Sequence, residues 1–251
     1  MADAVDRAGD LYDRIGGGYA VGRRTEPRIA EQIWAALGDA ETVLNVGAGA
    51  GSYEPADRWV TALEPSAVMR AQRPAGSAPC IAGAAEALPF ADGSFDAAMA
   101  VLSDHHWNDP MRGWREMHRV ATRVVVLQWD NTWIPRYWLV RDYLPEFARL
   151  AEAYPSLHDR AAAIGARMAT VPIPWDCADG FFHAYWRRPW AYLDDAVRRA
   201  TSVWARVGQA VEGRVVEALC ADLASGAWAN RNADLAHSPE ADLGARLVVA
   251  E

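Results

Sequence analysis

Three glycines at alternate positions, directly after a short apolar run, constrain this chain more than any other feature. Thr42-Val43-Leu44-Asn45-Val46 is almost wholly apolar, as expected of a parallel strand buried on both faces, and Gly47-Ala48-Gly49-Ala50-Gly51 follows without a spacer. Glycines there let the backbone turn tightly and bring its amides close to a ligand. Alone, the motif suits a dinucleotide pyrophosphate, a nucleoside or simply a tight turn. The next apolar run, Trp59-Val60-Thr61-Ala62-Leu63, ends in Glu64, where a carboxylate can accept hydrogen bonds from both ribose hydroxyls of a ligand. The pair of motifs points to an adenosine.

The same alternation continues along the first half. Phe95–Val101 and Val124–Leu127 read as further buried strands, and helical patterns lie between them. Pro27 opens a helix whose Ile29, Ile33 and Leu37 form one stripe ending at Gly38. Ser66 is placed to cap a short helix carrying Val68 and Met69, and Asp109-Pro110 opens one that puts Met111, Trp114 and Met117 on one face. Strand and helix in turn imply an α/β fold with a mainly parallel sheet and helices on both faces. After Asp130 the pattern changes to a long helical stretch holding Trp133, Tyr137, Trp138, Tyr143 and Phe147, a strand near Ala169-Thr170-Val171, and a mostly helical, aromatic region from Asp176 to Ala236. Leu247-Val248-Val249 reads as a final strand. The expected organisation is a lead and first helix at 1–38, a nucleoside-binding core at 39–130, a mostly helical substrate cap at 131–243 with a core strand near 167–173, and a last core strand at 244–251.

Composition narrows the functions. The chain has 251 residues, a formal charge of -8, three cysteines and 12 tryptophans. All 25 basic residues are arginine, so no lysine is present to form a Schiff base or to hold phosphates in a P-loop. An acidic chain without a basic stripe is not expected to bind nucleic acid. Cys80, Cys177 and Cys220 are widely spaced, which suggests neither a disulfide framework nor a metal knuckle. With no secretory leader pattern at Met1–Arg7 and no long apolar run, the expectation is a cytoplasmic chain without a membrane span.

At this point the sequence resembles the class I S-adenosylmethionine-dependent methyltransferases, within them the small-molecule branch similar to the ubiquinone and menaquinone C-methyltransferases. The resemblance covers about residues 40–130. Val43–Gly51 is similar to the family's first motif and Leu63-Glu64-Pro65-Ser66 to its acidic second one. Gly83-Ala84-Ala85-Glu86-Ala87-Leu88-Pro89-Phe90-Ala91-Asp92-Gly93-Ser94-Phe95-Asp96 is the most diagnostic stretch. The resemblance implies a Rossmann-like seven-stranded sheet and S-adenosylmethionine as methyl donor, with S-adenosylhomocysteine as product. It further implies that Gly47, Ala48, Gly49 and Gly51 flank the methionine part, that Glu64 binds the ribose, that Pro65, Ala85 and Glu86 border the adenine, and that Leu102 and Ser103 line the site. The lead resembles the family's lid: Tyr12 and Tyr19 would face the sulfonium, and Arg23 or Arg24 would pair with the methionine carboxylate. Ala84 stands where the family commonly has aspartate, leaving backbone carbonyls or Glu86 to receive the adenine amino group.

For any proton step, the candidates are His105 and His106 in Ser103-Asp104-His105-His106-Trp107-Asn108-Asp109, with Tyr19. The loop follows a strand's carboxyl end, where open parallel sheets put their active sites. One histidine can equally serve as a loop anchor, and a metal site there is disfavoured because adjacent imidazoles point apart. Trp107, Trp133, Trp138, His183 and Trp186 are candidate walls for the acceptor, as is the stretch Asp176–Pro189 with its acids, Phe181, Phe182 and arginines; Trp129 and Tyr137 share the ambiguity, since aromatics at helical spacing are more often core. The leading reading is methyl transfer to a small, aromatic or apolar acceptor by a monomer or homodimer. Two others stay open: a nicotinamide-dependent oxidoreductase, against which the Gly-x-Gly-x-Gly spacing speaks, and a non-methylating protein that binds the same nucleoside.

Overall fold

A computed structural model describes residues 22–251. Its centre is a seven-stranded sheet built from β1 (Thr42–Val46), β2 (Trp59–Leu63), β3 (Cys80–Ile81), β4 (Phe95–Val101), β5 (Ala121–Trp129), β6 (Arg167–Thr170) and β9 (Ala245–Ala250), in the order β3-β2-β1-β4-β5-β9-β6. Strands β1 to β5 pair in parallel, and β9 enters antiparallel between β5 and β6. The reversal from β1 to β4 leaves a crevice at the strands' carboxyl ends, where a ligand can reach both edges of the switch. Two short strands, β7 (Ile173–Pro174) and β8 (Glu240–Ala241), pair apart from the main sheet.

Alternation along each strand divides the core in two. Val43, Met99, Val125 and Leu127 face α1 (Pro27–Ala36), whose Ile29 and Ile33 are fully buried. Leu44, Val46, Ala98, Ala100, Val124 and Val126 face the opposite way, toward Trp114 and Met117 of α3 (Pro110–Val120). Both sides are apolar, which is why these strands read as continuous hydrophobic runs. The short α2 (Ala67–Ala71) is capped by Ser66 Oγ, which accepts from Met69 N, and α3 by Asp109, which accepts from Arg112 N.

The expected long helix after Asp130 is broken. A 3-10 turn at Ile134–Arg136, α4 (Trp138–Asp142), α5 (Pro145–Glu152) and α6 (Leu157–Ala163) replace it, because Pro135, Pro145 and Pro155 interrupt the backbone hydrogen-bond ladder. The expected strand near 169–171 is β6, and Val171 N, just past its end, donates to Ala245 O of β9. Residues 176–188 form no regular helix. Beyond them come α7 (Asp195–Arg199), α8 (Ser202–Val207), α9 (Gln209–Ser225) and α10 (Ala227–Arg231). Among the described residues no helix is long and apolar enough to cross a membrane.

One buried charge ties these parts together. Asp104, with no exposed surface, accepts from Trp114 Nε1 at 2.8 Å, from Gln128 Nε2 and from Arg160 Nη1. It therefore joins the loop after β4 to α3, β5 and α6. Removing one member of a buried pair leaves the other charge without compensation, at a cost of about 3–5 kcal/mol. Arg160→Met is expected to lower unfolding free energy by about that amount, measured by urea denaturation.

Candidate active site

The glycine loop lies where β1 meets the switch crevice. Gly47 and Gly49 have φ of 69° and 54°, a conformation that strains any residue with a Cβ. At Gly47 a Cβ would lie 2.7 Å from Ser103 Cβ and 3.3 Å from Trp107 Nε1, so the position is closed to larger residues by approach as well as by φ. The amides of Gly47 and Ala48 both donate to Leu63 O, at 2.8 and 3.1 Å. Gly49 N donates to Glu64 Oε2 at 2.9 Å, and Ser66 N to Glu64 Oε1 at 2.9 Å. The two sequence motifs are thus joined by a direct hydrogen bond. Burial raises the Glu64 carboxyl above its ordinary range, against the opposing pull of those two amides and of Arg70 and Arg73.

A cavity opens in front of this loop, with about 830 Å³ of empty space bounded by residues that include Gly47, Ala48, Gly49, Glu64, Pro65, Met69, Leu102, Ser103, His106 and Trp107. Each Glu64 oxygen spends one acceptor direction on an amide and keeps another for a further donor. Ser103 Oγ donates to Val46 O at 3.0 Å, tying the ends of β1 and β4. Leu102, at φ 51°, is one of two non-glycine residues of the described chain with positive φ. Such a strained position persists only where its surroundings hold it, and Leu102 lines both this cavity and a second one.

The second cavity, with about 820 Å³ of empty space, lies among Trp129, Phe147, Phe181, Phe182 and Val203, and its polar members include His105, Gln128, His183, Arg160 and Arg206. Leu102 and Arg23 are common to both cavities. Arg23 donates from Nε and Nη2 to Asp179 at 2.5 and 3.1 Å, and Tyr53 OH donates to the same carboxylate at 2.9 Å. Gly180 N donates to Gly22 O at 3.0 Å. These contacts fasten the start of the described chain to the 176–183 segment beside both cavities.

The expected site residues divide accordingly. Gly47, Ala48, Gly49, Glu64, Pro65, Leu102, Ser103, Trp107 and Arg23 come together at the first cavity, with His106, while His105 and His183 line the second. Tyr12 and Tyr19 lie outside the described residues. Arg24 is exposed and lines neither cavity. Ala85 is buried in the core cluster of Trp107 and Trp114, and Glu86 Oε1 accepts from Asn108 N and Asp109 N at 2.6 and 3.1 Å. Glu86 therefore holds the loop that carries Trp107 and borders neither cavity. Three of the expected acceptor walls are elsewhere. Trp138 and Trp186 are buried, with their indole N–H groups donating to Trp186 O and Pro174 O, and Trp133 lies beneath the guanidinium groups of Arg136 and Arg246. Tight packing claimed Trp138 and Trp186, whose spacing in the sequence could not separate core from pocket. Of the stretch Asp176–Pro189 that the sequence offers as a wall, Phe181, Phe182 and His183 line the second cavity, as does Trp129, while Gln128 and Arg206 line it without having carried a signal in the sequence.

All three imidazoles are held neutral. Burial lowers His183 to about 3. Burial, then Arg206, Arg160 and Arg23, lowers His105 to about 3. His106 falls well below its ordinary value through burial, then His105, Arg206 and Arg23. His183 stacks 4.0 Å from Trp129 and 4.6 Å from Tyr137, measured between ring centres, and neither of its ring nitrogens meets a hydrogen-bond partner among the described residues.

A family model described as a methyltransferase domain matches residues 44–124. The demethylmenaquinone methyltransferase of Renibacterium salmoninarum is 30% identical over 176 residues, covering 65% of this chain and 70% of that one. The corresponding enzyme of Corynebacterium efficiens is 29% identical, covering 63% and 74%. Among solved structures, a putative methyltransferase from an antibiotic biosynthesis pathway of Anabaena variabilis superposes with a TM-score of 0.85 at 29% identity, over 92% of this chain and 99% of its own. A switch crevice at the carboxyl ends of a mainly parallel seven-stranded sheet defines a Rossmann-like fold. Taken with these relatives, it places the chain in the class I S-adenosylmethionine-dependent methyltransferases.

Two outcomes follow from this geometry. Gly47→Ala should reduce S-adenosylhomocysteine affinity by on the order of tenfold or more in calorimetry, since its Cβ must displace Ser103. The three imidazoles bind fewer protons folded than unfolded, so stability is greatest above the unfolded histidine value of about 6.5 and falls as pH drops toward 3. Each contributes a slope of up to about 1.4 kcal/mol per pH unit in that window, to be read as a falling thermal midpoint on acidification.

Proposed function

We propose that this methyltransferase acts on a small molecule with a flat, apolar body, held in the second cavity while the first holds the methyl donor. The observation that carries the reading is the adjacency of the two spaces across Leu102 and Arg23. The residues of the first cavity fit S-adenosylmethionine: Glu64 retains acceptor capacity for two ribose hydroxyls, and the glycine loop Gly47-Ala48-Gly49 borders the cavity with little side chain between backbone and ligand. When bound, that donor supplies an electrophilic methyl sulfonium. The protein's part is to align the acceptor and exclude water. Trp129, Phe147, Phe181 and Phe182 would cover the acceptor's faces, and His183 would offer a hydrogen bond through a ring nitrogen that has no other partner.

Small-molecule transfer is also supported by the relatives, which are named for methylation of demethylmenaquinone. The acidic balance of the chain supports the absence of a nucleic-acid substrate.

Calorimetry with S-adenosylhomocysteine tests the first cavity. Wild type should bind, and Glu64→Ala should bind on the order of tenfold or more weakly, since hydrogen bonds to a charged group are lost. Indistinguishable affinities would remove Glu64 from the site. Trp129→Ala should raise the acceptor's KM while leaving S-adenosylhomocysteine affinity unchanged; a loss of cofactor affinity instead would refute the division of labour between the cavities.

A further inference from the structure

Positive charge on the wall of the second cavity exceeds what its carboxylates neutralise. Arg23, Arg160 and Arg206 all line it. Arg23 is paired with Asp179 and Arg160 with Asp104. Arg206, on α8, lies with its guanidinium 5.3 Å from the centre of the Tyr154 ring, and no carboxylate among the described residues forms an ion pair with it. The acids on neighbouring helices are engaged elsewhere: Glu146 with Arg214, Asp195 with Arg199 and Glu212 with Arg198. Glu152, at the end of α5, makes no ion pair with it either. The remaining titratable groups that line the cavity are His105, His183 and Tyr154, with His106 stacked 3.9 Å from His105.

A second observation fixes what His105 can do. Gln128 is held in one orientation, because its Oε1 accepts from Trp129 N at 2.7 Å and its Nε2 donates to Asp104. The same Nε2 lies 3.2 Å from His105 Nδ1. An amide nitrogen can only donate, so Nδ1 accepts, and the proton of the neutral ring sits on Nε2. His105 is then a hydrogen-bond donor with no lone pair on that nitrogen to take a proton. Its Asp104–Gln128 support makes it rigid.

We propose that the acceptor is an acidic hydroxyl compound, a phenol or an enol, bound as its anion with the oxygen directed at Arg206 and at His105 Nε2–H. This rests on the second cavity being the acceptor site. The cavity selects the ionised acceptor from solution, so no side chain has to remove its proton. Attack by that oxygen forms the O–CH3 bond as the C–S bond breaks. The electron pair stays on sulfur, the positive and negative charges cancel, and no proton moves in the step. A half-buried guanidinium without a carboxylate partner and a fixed N–H donor favour the oxyanion over the neutral hydroxyl.

The probe is 4-nitrophenol, whose anion absorbs visibly, titrated with the protein saturated in S-adenosylhomocysteine. The bound probe should stay ionised about one pH unit below the free compound, a roughly tenfold preference for the anion. Arg206→Gln should abolish that preference and Arg206→Lys should keep most of it, with S-adenosylhomocysteine binding by each variant as the check that it is folded. Nitrogen NMR of His105 should show the Nε2–H tautomer. A complex that binds S-adenosylhomocysteine but ignores the probe, binds it better as the neutral phenol, or keeps its preference in Arg206→Gln overturns the proposal and leaves the cofactor reading intact. An Nδ1–H tautomer overturns it as well. Failure to bind S-adenosylhomocysteine would instead bring down the reading of the first cavity.

Discussion

Asp104 is the carboxylate on which the geometry of this protein turns. It lies in an interior that would expel an uncompensated charge, and the indole, amide and guanidinium that satisfy it come from three different elements. Each donor is held by the need to compensate that charge, so the loop after β4 cannot shift without leaving a buried anion short of partners. The loop sits between the cavities and carries His105 and His106. Their position therefore follows from an electrostatic necessity deeper in the core.

The sheet was legible because its physical cause is local. Strands such as Thr42–Val46 and Phe95–Val101 are apolar on both faces, and the capping groups at Ser66 and Asp109 stand where the helices start. The two-residue strand β3 gave no such signal, since Cys80-Ile81 is too short for periodicity and Ile81 is exposed. The region after Asp130 holds shorter helices than its pattern predicts. Its aromatic spacing was compatible with a helix, but prolines at 135, 145 and 155 divide it.

For the site, legibility ended where long-range contacts began. Gly47 and Glu64 follow their strands directly and Ser103 lies two residues past the end of its own, and the parallel sheet brings strand ends together. Trp138 and Trp186 have the same chemistry as Trp129, yet they fill the core while Trp129 lines the cavity. No one-dimensional pattern carries that difference, because it is decided by which helix meets which. Asp179 is harder still: its partners Arg23 and Tyr53 are 156 and 126 residues away in sequence.

That last contact also differs from the arginine pairs on the surface. Asp179 has no exposed side-chain area and Arg23 only 15%, whereas Arg199 and Asp195 are 73% and 51% exposed. Mobile ions screen exposed pairs within a Debye length of roughly 8 Å at physiological ionic strength, and buried pairs much less. Changes in salt that loosen the outer helices should therefore leave the join between the start of the described chain and residue 179 in place. The wall common to both cavities is fastened by an attachment that ionic strength scarcely reaches.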